Sequence, residues 1–309
     1  MIKAIVITGP TASGKTGISI DLAEKLSGEI VCCDSMQVYK GMDIGTAKPD
    51  MEERRGIPHH MLDIVEPYET FDAATYKYMA VCCIKDIAKR GRTPILVGGT
   101  GLYVNSLVEN IQYVESEADP ELRKSLHEYA KKHGAEALHA RLKEIDPRAA
   151  EKIHANNVKR VARAIELSML TGMTQEERNA LSKSVKSDIE YTVYAIQMDR
   201  ELLYKRIDER ADKMVEMGLV EEVIGIREKC IEAYKKGISP TPTLSKTALQ
   251  GIGYKEILEY LDNKCTLEES VEKIKLNTRR YAKRQITWFR KPKWVNWVTI
   301  EELKEIYSL

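Results

Sequence analysis

Short apolar runs alternate with longer segments of helical periodicity through the N-terminal third of the chain. The runs occupy residues 4–8, 29–33 and 93–97 and are rich in β-branched residues. In residues 18–26 and 72–90, by contrast, apolar side chains recur every three or four positions. The first pattern is typical of buried strands and the second of helices that pack on a sheet. We therefore expect an α/β fold in which helices flank a parallel sheet.

The pattern changes after residue 113. From residue 115 to about residue 188 the chain is polar, alanine-rich and helical in periodicity. Asp119 and Asp146, each followed by proline, are typical of helix starts in this region. Strand patterns return later in the chain, at residues 191–198 and 295–299. The sequence thus predicts three segments: residues 1–114 as the first part of the core, residues 115–189 as an inserted all-helical domain, and residues 190–309 as the second part of the core.

The turn after the first predicted strand has the pattern G-x-x-x-x-G-K-T. It consists of Gly9, Pro10, Thr11, Ala12, Ser13, Gly14, Lys15 and Thr16. Between a strand and a helix this pattern predicts a phosphate-binding loop, because the loop amides and the helix N-terminus attract a diphosphate or triphosphate. Lys15 can reach terminal phosphate oxygens, and the Thr16 hydroxyl can ligate Mg²⁺. The alternative is a plain glycine turn, but the flanking elements favour a P-loop NTPase-like core.

Polar segments also follow the second and third predicted strands. Asp34 comes directly after the second, and residues 98–103, with the sequence GGTGLY, follow the third. Ligands bind at the carboxyl ends of parallel strands, so both segments should lie near the phosphate-binding loop. For residues 98–103 a tight turn without a ligand is an equally good interpretation. His59 and His60 would point apart on either regular element, which favours structural hydrogen bonds over a metal site.

Charge and cysteine content restrict the class of protein. The chain has 309 residues, with 48 Lys and Arg against 47 Asp and Glu, so its net charge of +1 does not indicate nucleic-acid binding. The six cysteines form no C-x-x-C pair. The sequence shows neither a secretory leader nor an apolar run close to the roughly 20 residues of a membrane span. We expect reduced thiols in a cytoplasmic protein that has no contact with a membrane.

Positive charge is instead concentrated locally. Nine basic residues and no acidic residue lie between Lys273 and Lys293, and aromatic residues are interspersed among them. We interpret these charges as uncompensated, and they predict a stripe that binds nucleic-acid phosphates. A second basic helix face, at Lys159, Arg160 and Arg163, is by itself more typical of a solvated surface.

Two further arginines could bind a diphosphate. Arg206 and Arg210 lie one helical turn apart in a helix that Asp199 is placed to cap. Together they could hold a diphosphate through paired hydrogen bonds. Taken alone, the spacing favours surface ion pairs with Glu201 and Glu209.

Six blocks of sequence, taken together, resemble the bacterial tRNA dimethylallyltransferase family, also called isopentenyltransferases. Besides the phosphate-binding loop they are residues 34–39 (DSMQVY), 42–49 (MDIGTAKP), 98–103 (GGTGLY), 252–256 (IGYKE) and 283–290 (KRQITWFR). The blocks occur in family order up to about residue 290, which is far more specific than the loop alone. The resemblance implies transfer of a dimethylallyl group from dimethylallyl diphosphate to N6 of adenosine 37 in tRNA, without ATP hydrolysis.

The resemblance also implies roles for individual residues. It makes Asp34 the general base, places Thr100 beside the acceptor base and Arg210 on the leaving diphosphate, and puts Mg²⁺ at Thr16. The donor diphosphate would lie in the phosphate-binding loop. The residues implied to contact the tRNA anticodon stem-loop are Asp34, Ser35, Met36, Gln37, Thr100, Arg123, Lys159, Arg160, Arg163, Gly253, Tyr254, Lys255, Lys283, Arg284, Gln285, Trp288 and Arg290. The target base must leave the anticodon stack, so base flipping is expected. We expect a monomer.

Some assignments and functions stay open. Arg206 could replace Arg210 as the diphosphate ligand, and Asp72 stands where many relatives have serine. The zinc finger of eukaryotic relatives is absent, so tRNA binding should come from the insertion and the basic helix. The alternative functions are a P-loop small-molecule kinase, a prenyltransferase acting on free adenine nucleotides, and a non-catalytic RNA-binding protein. The basic stripe favours tRNA over free nucleotides, and Asp34 beside the loop favours an enzyme.

Overall fold

A six-stranded parallel sheet forms the core of the α/β part of the chain. The computed structural model describes residues 1–113 and 119–309. Its strands are β1 (Ile2–Thr8), β2 (Gly28–Cys32), β3 (His59–His60), β4 (Thr93–Val97), β5 (Ile189–Ile196) and β6 (Val295–Val298). They are arranged in the order β3-β2-β4-β1-β5-β6, and every pairing is parallel. The predicted α/β fold is confirmed.

Helices cover both faces of this sheet. In chain order they are α1 (Lys15–Lys25), α2 (Ala73–Lys89), α3 (Gly101–Val108), α9 (Arg200–Glu216), α10 (Leu219–Lys235), α11 (Tyr254–Leu261), α12 (Leu267–Phe289) and α13 (Ile300–Tyr307), with α4 to α8 between α3 and β5. Side chains of β1 alternate between two hydrophobic clusters, because successive residues of a strand point to opposite faces. Val6 packs in a cluster with Tyr76 of α2, whereas Ile7 packs in another with Leu22 of α1.

The chain divides into two compact units. The sheet and its helices belong to Met1–Val108 and Asp188–Leu309, and the other unit is Glu109–Ser187. The second unit contains α4 (Pro120–His133), α5 (Ala135–Ile145), α6 (Pro147–Lys152), α7 (Val158–Thr171) and α8 (Gln175–Ser184). Its own hydrophobic cluster includes Leu138, Leu142 and Ile165. The domain boundary predicted between residues 114 and 115 lies outside the described residues.

Local details differ modestly from the predictions. Strand β5 begins at Ile189, two residues before the predicted start, and β3 is a two-residue strand that was not predicted. Within β3, His59 Nδ1 lies 2.8 Å from the Ile57 carbonyl oxygen and His60 Nε2 lies 2.7 Å from Glu29 Oε2. The histidines thus have the structural role that the sequence favoured. In the described part of the chain, no helix is long and apolar enough to cross a membrane.

Candidate active site

The phosphate-binding loop joins the carboxyl end of β1 to the first turn of α1. The loop winds tightly, and Gly9, Ala12 and Gly14 have positive φ angles of 125°, 63° and 87°. Lys15 opens α1, and its Nζ donates to the Pro10 carbonyl oxygen at 2.6 Å, so the ammonium group folds back over the loop. The Ser13 hydroxyl is buried and has no hydrogen-bond partner among the described residues. An unsatisfied buried hydroxyl is costly, and an anion bound in the loop would supply its partner.

Two cavities meet beside this loop. The cavity over the loop has a volume of about 340 Å³ and a mostly polar lining that includes Lys15 and Thr16. The second has a volume of about 380 Å³ and a mostly apolar lining that includes Ile207 and Met214 of α9 and Ile274 of α12. The residues that line both cavities are Thr11, Asp34, Thr46, Arg210 and Tyr281. A ligand with a charged head and an apolar tail fits this pair of cavities.

Asp34 lies at the junction of the two cavities and is held by its own backbone turn. Its Oδ1 accepts from Met36 N at 2.8 Å and from Gln37 N at 3.4 Å. Oδ2 has no hydrogen-bond partner in the part of the chain that the structure describes. The carboxylate is therefore fixed in place through one oxygen, and the other remains available to accept a proton from a ligand.

The turn after β4 packs directly against the Asp34 segment. Thr100 N donates to the Cys33 carbonyl oxygen at 3.2 Å, and the Thr100 hydroxyl oxygen accepts from Ser35 N at 3.0 Å. Gly98 makes this close approach possible, because a Cβ at that position would lie 2.3 Å from the Cys33 carbonyl carbon. Thr100 is thus fixed next to Asp34, as the position of both at strand ends predicts.

The site concentrates positive charge where the two cavities meet. Burial, together with repulsion from Arg210, lowers the pKa of Lys15 to about 7, against an opposing attraction from Asp34. Burial also lowers the pKa of Arg210, again against the Asp34 charge. Two cations that are held near one another with little solvent are unfavourable without a counter-ion. A bound polyanion would relieve this repulsion.

Arg206 and Arg210 of α9 both line the polar cavity, as a diphosphate ligand would require. The surface ion pairs that the spacing alone favoured are not formed in the described structure, where Glu209 instead lies 3.9 Å from Lys205. Only Arg210 also lines the apolar cavity and faces Asp34. Arg210, rather than Arg206, is therefore the arginine nearest to the point where a ligand's charged head would join its apolar tail.

The basic stripe on α12 has two different halves. The prediction that all nine charges are uncompensated is wrong, because Lys273 lies 3.3 Å from Glu259, Lys275 2.8 Å from Asp212, and Arg279 2.7 Å from Asp208. These three residues attach α12 to α9 and α11. Lys283, Arg284 and Arg290, in contrast, are exposed and have no carboxylate within 4.0 Å among the described residues. The C-terminal half is the part that is free to bind phosphates.

Three residues predicted to contact tRNA are buried and hydrogen-bonded within the chain, and two of them, Tyr254 and Gln285, line the cavities. Tyr254 is 0% exposed, and its hydroxyl donates to Glu222 Oε1 at 2.6 Å. Gly253 N donates to Glu256 Oε2 at 2.9 Å, and Gln285 is 5% exposed with both ends of its amide bonded to backbone. Sequence blocks cannot separate residues that build a binding wall from residues that touch its ligand. The neighbouring Lys255 and Trp288 are exposed, as is Ser35 in part.

In the helical unit, two predicted tRNA contacts share one buried carboxylate. Glu166 of α7 is 0% exposed and accepts from Arg123 at 2.8 and 3.0 Å and from Arg163 at 2.9 Å. Both arginine side chains remain almost half exposed. Lys159 and Arg160, in the first turn of α7, are exposed as well. The four cations therefore remain available to a ligand, although Glu166 neutralises part of their charge.

Glu166→Gln is expected to destabilise the helical unit in a pH-dependent manner. Burial alone would raise the pKa of Glu166, but hydrogen bonds from Arg123 and Arg163 outweigh it and lower the pKa below the ordinary 4.5. A lowered pKa stabilises the fold above pH 4.5 and ceases to do so as pH falls through the lowered value. We expect the variant to lose about 1–3 kcal/mol at neutral pH and the difference from the parent protein to shrink under acid conditions.

Urea unfolding of the full chain at neutral pH and below pH 4.5 measures this difference. Glu128→Gln is the matched control, because Glu128 is an exposed residue of the same unit that lies 4.0 Å from Lys124. Its effect should stay within about 0.5 kcal/mol. A loss in Glu166→Gln that does not vary with pH would contradict the ion-pair explanation.

Tyr281 is a site residue that the sequence did not single out. It lies on α12 and lines both cavities, and burial together with the Asp34 charge raises its pKa. The sequence places it only among the aromatic residues of the basic stripe. Tyr281 precedes Gln285 by four positions, and residues so spaced share a helix face. This spacing is the signal from which the sequence could have identified Tyr281.

The fold and the site together define a P-loop-like α/β protein in which a polar cavity over the loop adjoins an apolar cavity. The sequence profile of the IPP transferase family matches residues 37–292. A tRNA dimethylallyltransferase of Acetivibrio thermocellus is 50% identical, over 98% of this chain and 93% of its own length. Another tRNA dimethylallyltransferase, from Caldanaerobacter subterraneus, is 44% identical over 100% of this chain and 95% of its own length. The chain therefore belongs to the IPP transferase family, and the resemblance inferred from its sequence blocks is confirmed.

Solved structures agree with this assignment. The tRNA isopentenylpyrophosphate transferase of Bacillus halodurans matches with a TM-score of 0.69 and 42% identity, over 100% of this chain and 95% of its own. A eukaryotic dimethylallyltransferase acting on tRNA matches with a TM-score of 0.79 and 32% identity, over 99% of this chain and 75% of its own. The fold is thus shared along nearly the whole chain.

Proposed function

We propose that this protein transfers a dimethylallyl group from dimethylallyl diphosphate to N6 of adenosine 37 in tRNA, releasing diphosphate. The observation that carries the proposal is the position of Asp34, where the polar cavity of the phosphate-binding loop meets an apolar cavity. Family membership supports the same reaction. We also propose that it acts as a monomer in the cytoplasm.

The transfer exchanges one carbon–oxygen bond for one carbon–nitrogen bond. The N6 lone pair attacks the first carbon of the dimethylallyl group, and the electrons of the breaking bond leave with the diphosphate. An exocyclic adenine amine is a poor nucleophile because its lone pair is delocalised into the ring. Asp34 Oδ2 takes the N6 proton as the new bond forms, which prevents a positive charge from accumulating on nitrogen. We propose that Thr100, which is bonded to Ser35 N beside Asp34, lies next to the acceptor base.

The phosphate-binding loop holds the leaving diphosphate. Lys15, the loop amides, the Ser13 hydroxyl and Arg210 provide donors and positive charge where negative charge develops. The exposed Thr16 hydroxyl at the start of α1 is a hard oxygen ligand that fits Mg²⁺, which would further neutralise the diphosphate when bound. The described residues contain no group of three or more His, Cys, Asp or Glu side chains that could hold a metal.

The apolar cavity provides space for the dimethylallyl chain and for a base flipped out of the anticodon stack. Ile207, Met214 and Ile274 offer an apolar wall to the five-carbon chain. Ser35 and Met36 line the same cavity and follow Asp34 in the chain. They are placed to contact the flipped base.

We infer that tRNA phosphates bind the C-terminal half of the α12 stripe. Replacing Lys283, Arg284 and Arg290 together by alanine should lower affinity for every substrate tRNA to a similar degree. Each lost phosphate contact should reduce the slope of log K against log salt by about 0.7 to 0.9. The matched control replaces Lys273, Lys275 and Arg279, which pair with carboxylates. It should lower the melting temperature and leave the salt slope unchanged. If the two variants had equal slopes of log K against log salt, the helix face at Lys159 and Arg160 would instead be the site that binds tRNA phosphates.

Donor and acceptor assays separate the proposed function from its alternatives. A P-loop kinase would form ADP from ATP, and a free-nucleotide prenyltransferase would modify AMP as readily as tRNA. We expect diphosphate release that needs dimethylallyl diphosphate and tRNA but not ATP. Release of ADP, or transfer to AMP with tRNA unmodified, would refute the proposal.

A further inference from the structure

Gln285 connects two loops of the site through a single side-chain amide. Its Oε1 accepts from Thr11 N at 2.8 Å, and its Nε2 donates to the Gly99 carbonyl oxygen at 2.9 Å. These partners are 274 and 186 positions away in the chain. Both bonds are shielded, because Gln285 is 5% exposed. One residue of α12 therefore joins the ends of two adjacent strands, β1 and β4.

Each partner of Gln285 is next to a group that the reaction uses. Thr11 belongs to the phosphate-binding loop and lines both cavities. Gly99 precedes Thr100, whose hydroxyl accepts from Ser35 N beside Asp34. Hydrogen bonds from Gly98 N to the Ile7 carbonyl oxygen and from Thr8 Oγ1 to the Gly98 carbonyl oxygen already join the two strand ends. Gln285 extends this connection to the phosphate-binding loop itself, at Thr11.

The fit around the amide is close. A Cβ at Gly99 would lie 2.0 Å from Gln285 Nε2, so any larger residue there would displace the amide. The amide satisfies both partners, since Thr11 N needs an acceptor and the Gly99 carbonyl needs a donor. A carboxylate would retain the first bond, lose the second and add negative charge beside the diphosphate site. An apolar side chain would leave both backbone groups unsatisfied.

We propose that Gln285 is a positioning residue for the transfer reaction: it fixes the phosphate-binding loop against the Thr100 turn and thereby sets the affinity of the site for diphosphate. The proposal rests on the function proposed above and differs from the tRNA contact that the sequence blocks implied for Gln285. It places the residue in the wall of the polar cavity rather than on the RNA surface. Lys283 and Arg284, the residues before it on α12, are exposed, whereas Gln285 is buried.

The test is titration of the full chain with inorganic diphosphate, which needs neither donor nor tRNA. Gln285→Leu should weaken diphosphate binding about tenfold or more, the effect of losing hydrogen bonds to the loop. Gln285→Glu should weaken it further through charge repulsion, and it keeps the side-chain shape if the leucine variant does not fold. Affinity for tRNA should be unchanged in both variants.

Asn277→Leu is the matched control. Asn277 lies on the same helix, and its amide donates to Glu256 Oε1 at 2.8 Å. It therefore joins α12 to α11, and not to the phosphate-binding loop. It should lower the melting temperature without affecting diphosphate binding. Equal diphosphate affinity in Gln285→Glu, Asn277→Leu and the parent protein would overturn the proposal, as would a selective loss of tRNA affinity. If the Gln285 variants bind diphosphate as weakly as predicted but the parent protein transfers no prenyl group, only the proposed function is contradicted.

Discussion

Asp34→Asn is expected to lower the rate of dimethylallyl transfer by about 100-fold to 10,000-fold, the range that a positioned general base contributes. Donor binding and the fold should be retained. The amide oxygen of asparagine can still accept from Met36 N and Gln37 N, as Asp34 Oδ1 does. What is lost is the second carboxylate oxygen, which has no partner among the described residues and which we propose accepts the N6 proton.

Single-turnover transfer rates and diphosphate titration of the variant distinguish chemistry from binding. Asp50→Asn is the matched control, because Asp50 Oδ1 likewise accepts a backbone bond, from Glu53 N at 2.8 Å, on an exposed loop. It should transfer at the parent rate. A rate in Asp34→Asn that is close to that of Asp50→Asn would remove Asp34 from the mechanism.

Lys15→Ala is expected to weaken binding of dimethylallyl diphosphate by about 10-fold to 100-fold, the effect of losing hydrogen bonds from a charged group. It should also slow the departure of diphosphate, whereas tRNA affinity should barely change. Burial and repulsion from Arg210 already lower the pKa of Lys15. Removing it should therefore leave the melting temperature of the free protein unchanged or raise it.

Parallel titrations with donor and with tRNA test this prediction. Lys25→Ala removes a lysine from the opposite end of α1, where its Nζ donates to the Ser308 carbonyl oxygen at 3.0 Å. This control should bind both substrates normally. If Lys15→Ala lost tRNA affinity and kept donor affinity, the loop would be binding RNA phosphate, and the assignment of the two substrates would be reversed.

The sequence predicted the parts of the site that local pattern defines. The phosphate-binding loop lies between a strand and a helix, and Asp34 and Thr100 each follow a buried strand, so their common location follows from parallel topology alone. The two-residue strand β3 was missed because it is too short for any periodicity to be visible.

Long-range contacts could not be predicted from one sequence. Glu222 accepts from the backbone amides of residues 43–45, which are 177 to 179 positions away. Gln285 contacts Thr11 across 274 positions, and Arg279 pairs with Asp208 across 71. The last two contacts explain why Arg279 is neutralised and why Gln285 is buried. A count of charges along the sequence cannot detect such partners.

Adenosine 37 of tRNA is the proposed acceptor of the dimethylallyl group. The most direct measurement incubates the protein with dimethylallyl diphosphate and an unmodified tRNA that carries this adenosine, and then digests the RNA for mass spectrometry. A tRNA with guanosine at position 37 is the control. We predict N6-isopentenyladenosine at position 37 with one diphosphate released per modified tRNA, and no product in the control. Prenylation at another nucleotide, or diphosphate release with the tRNA unchanged, would contradict it.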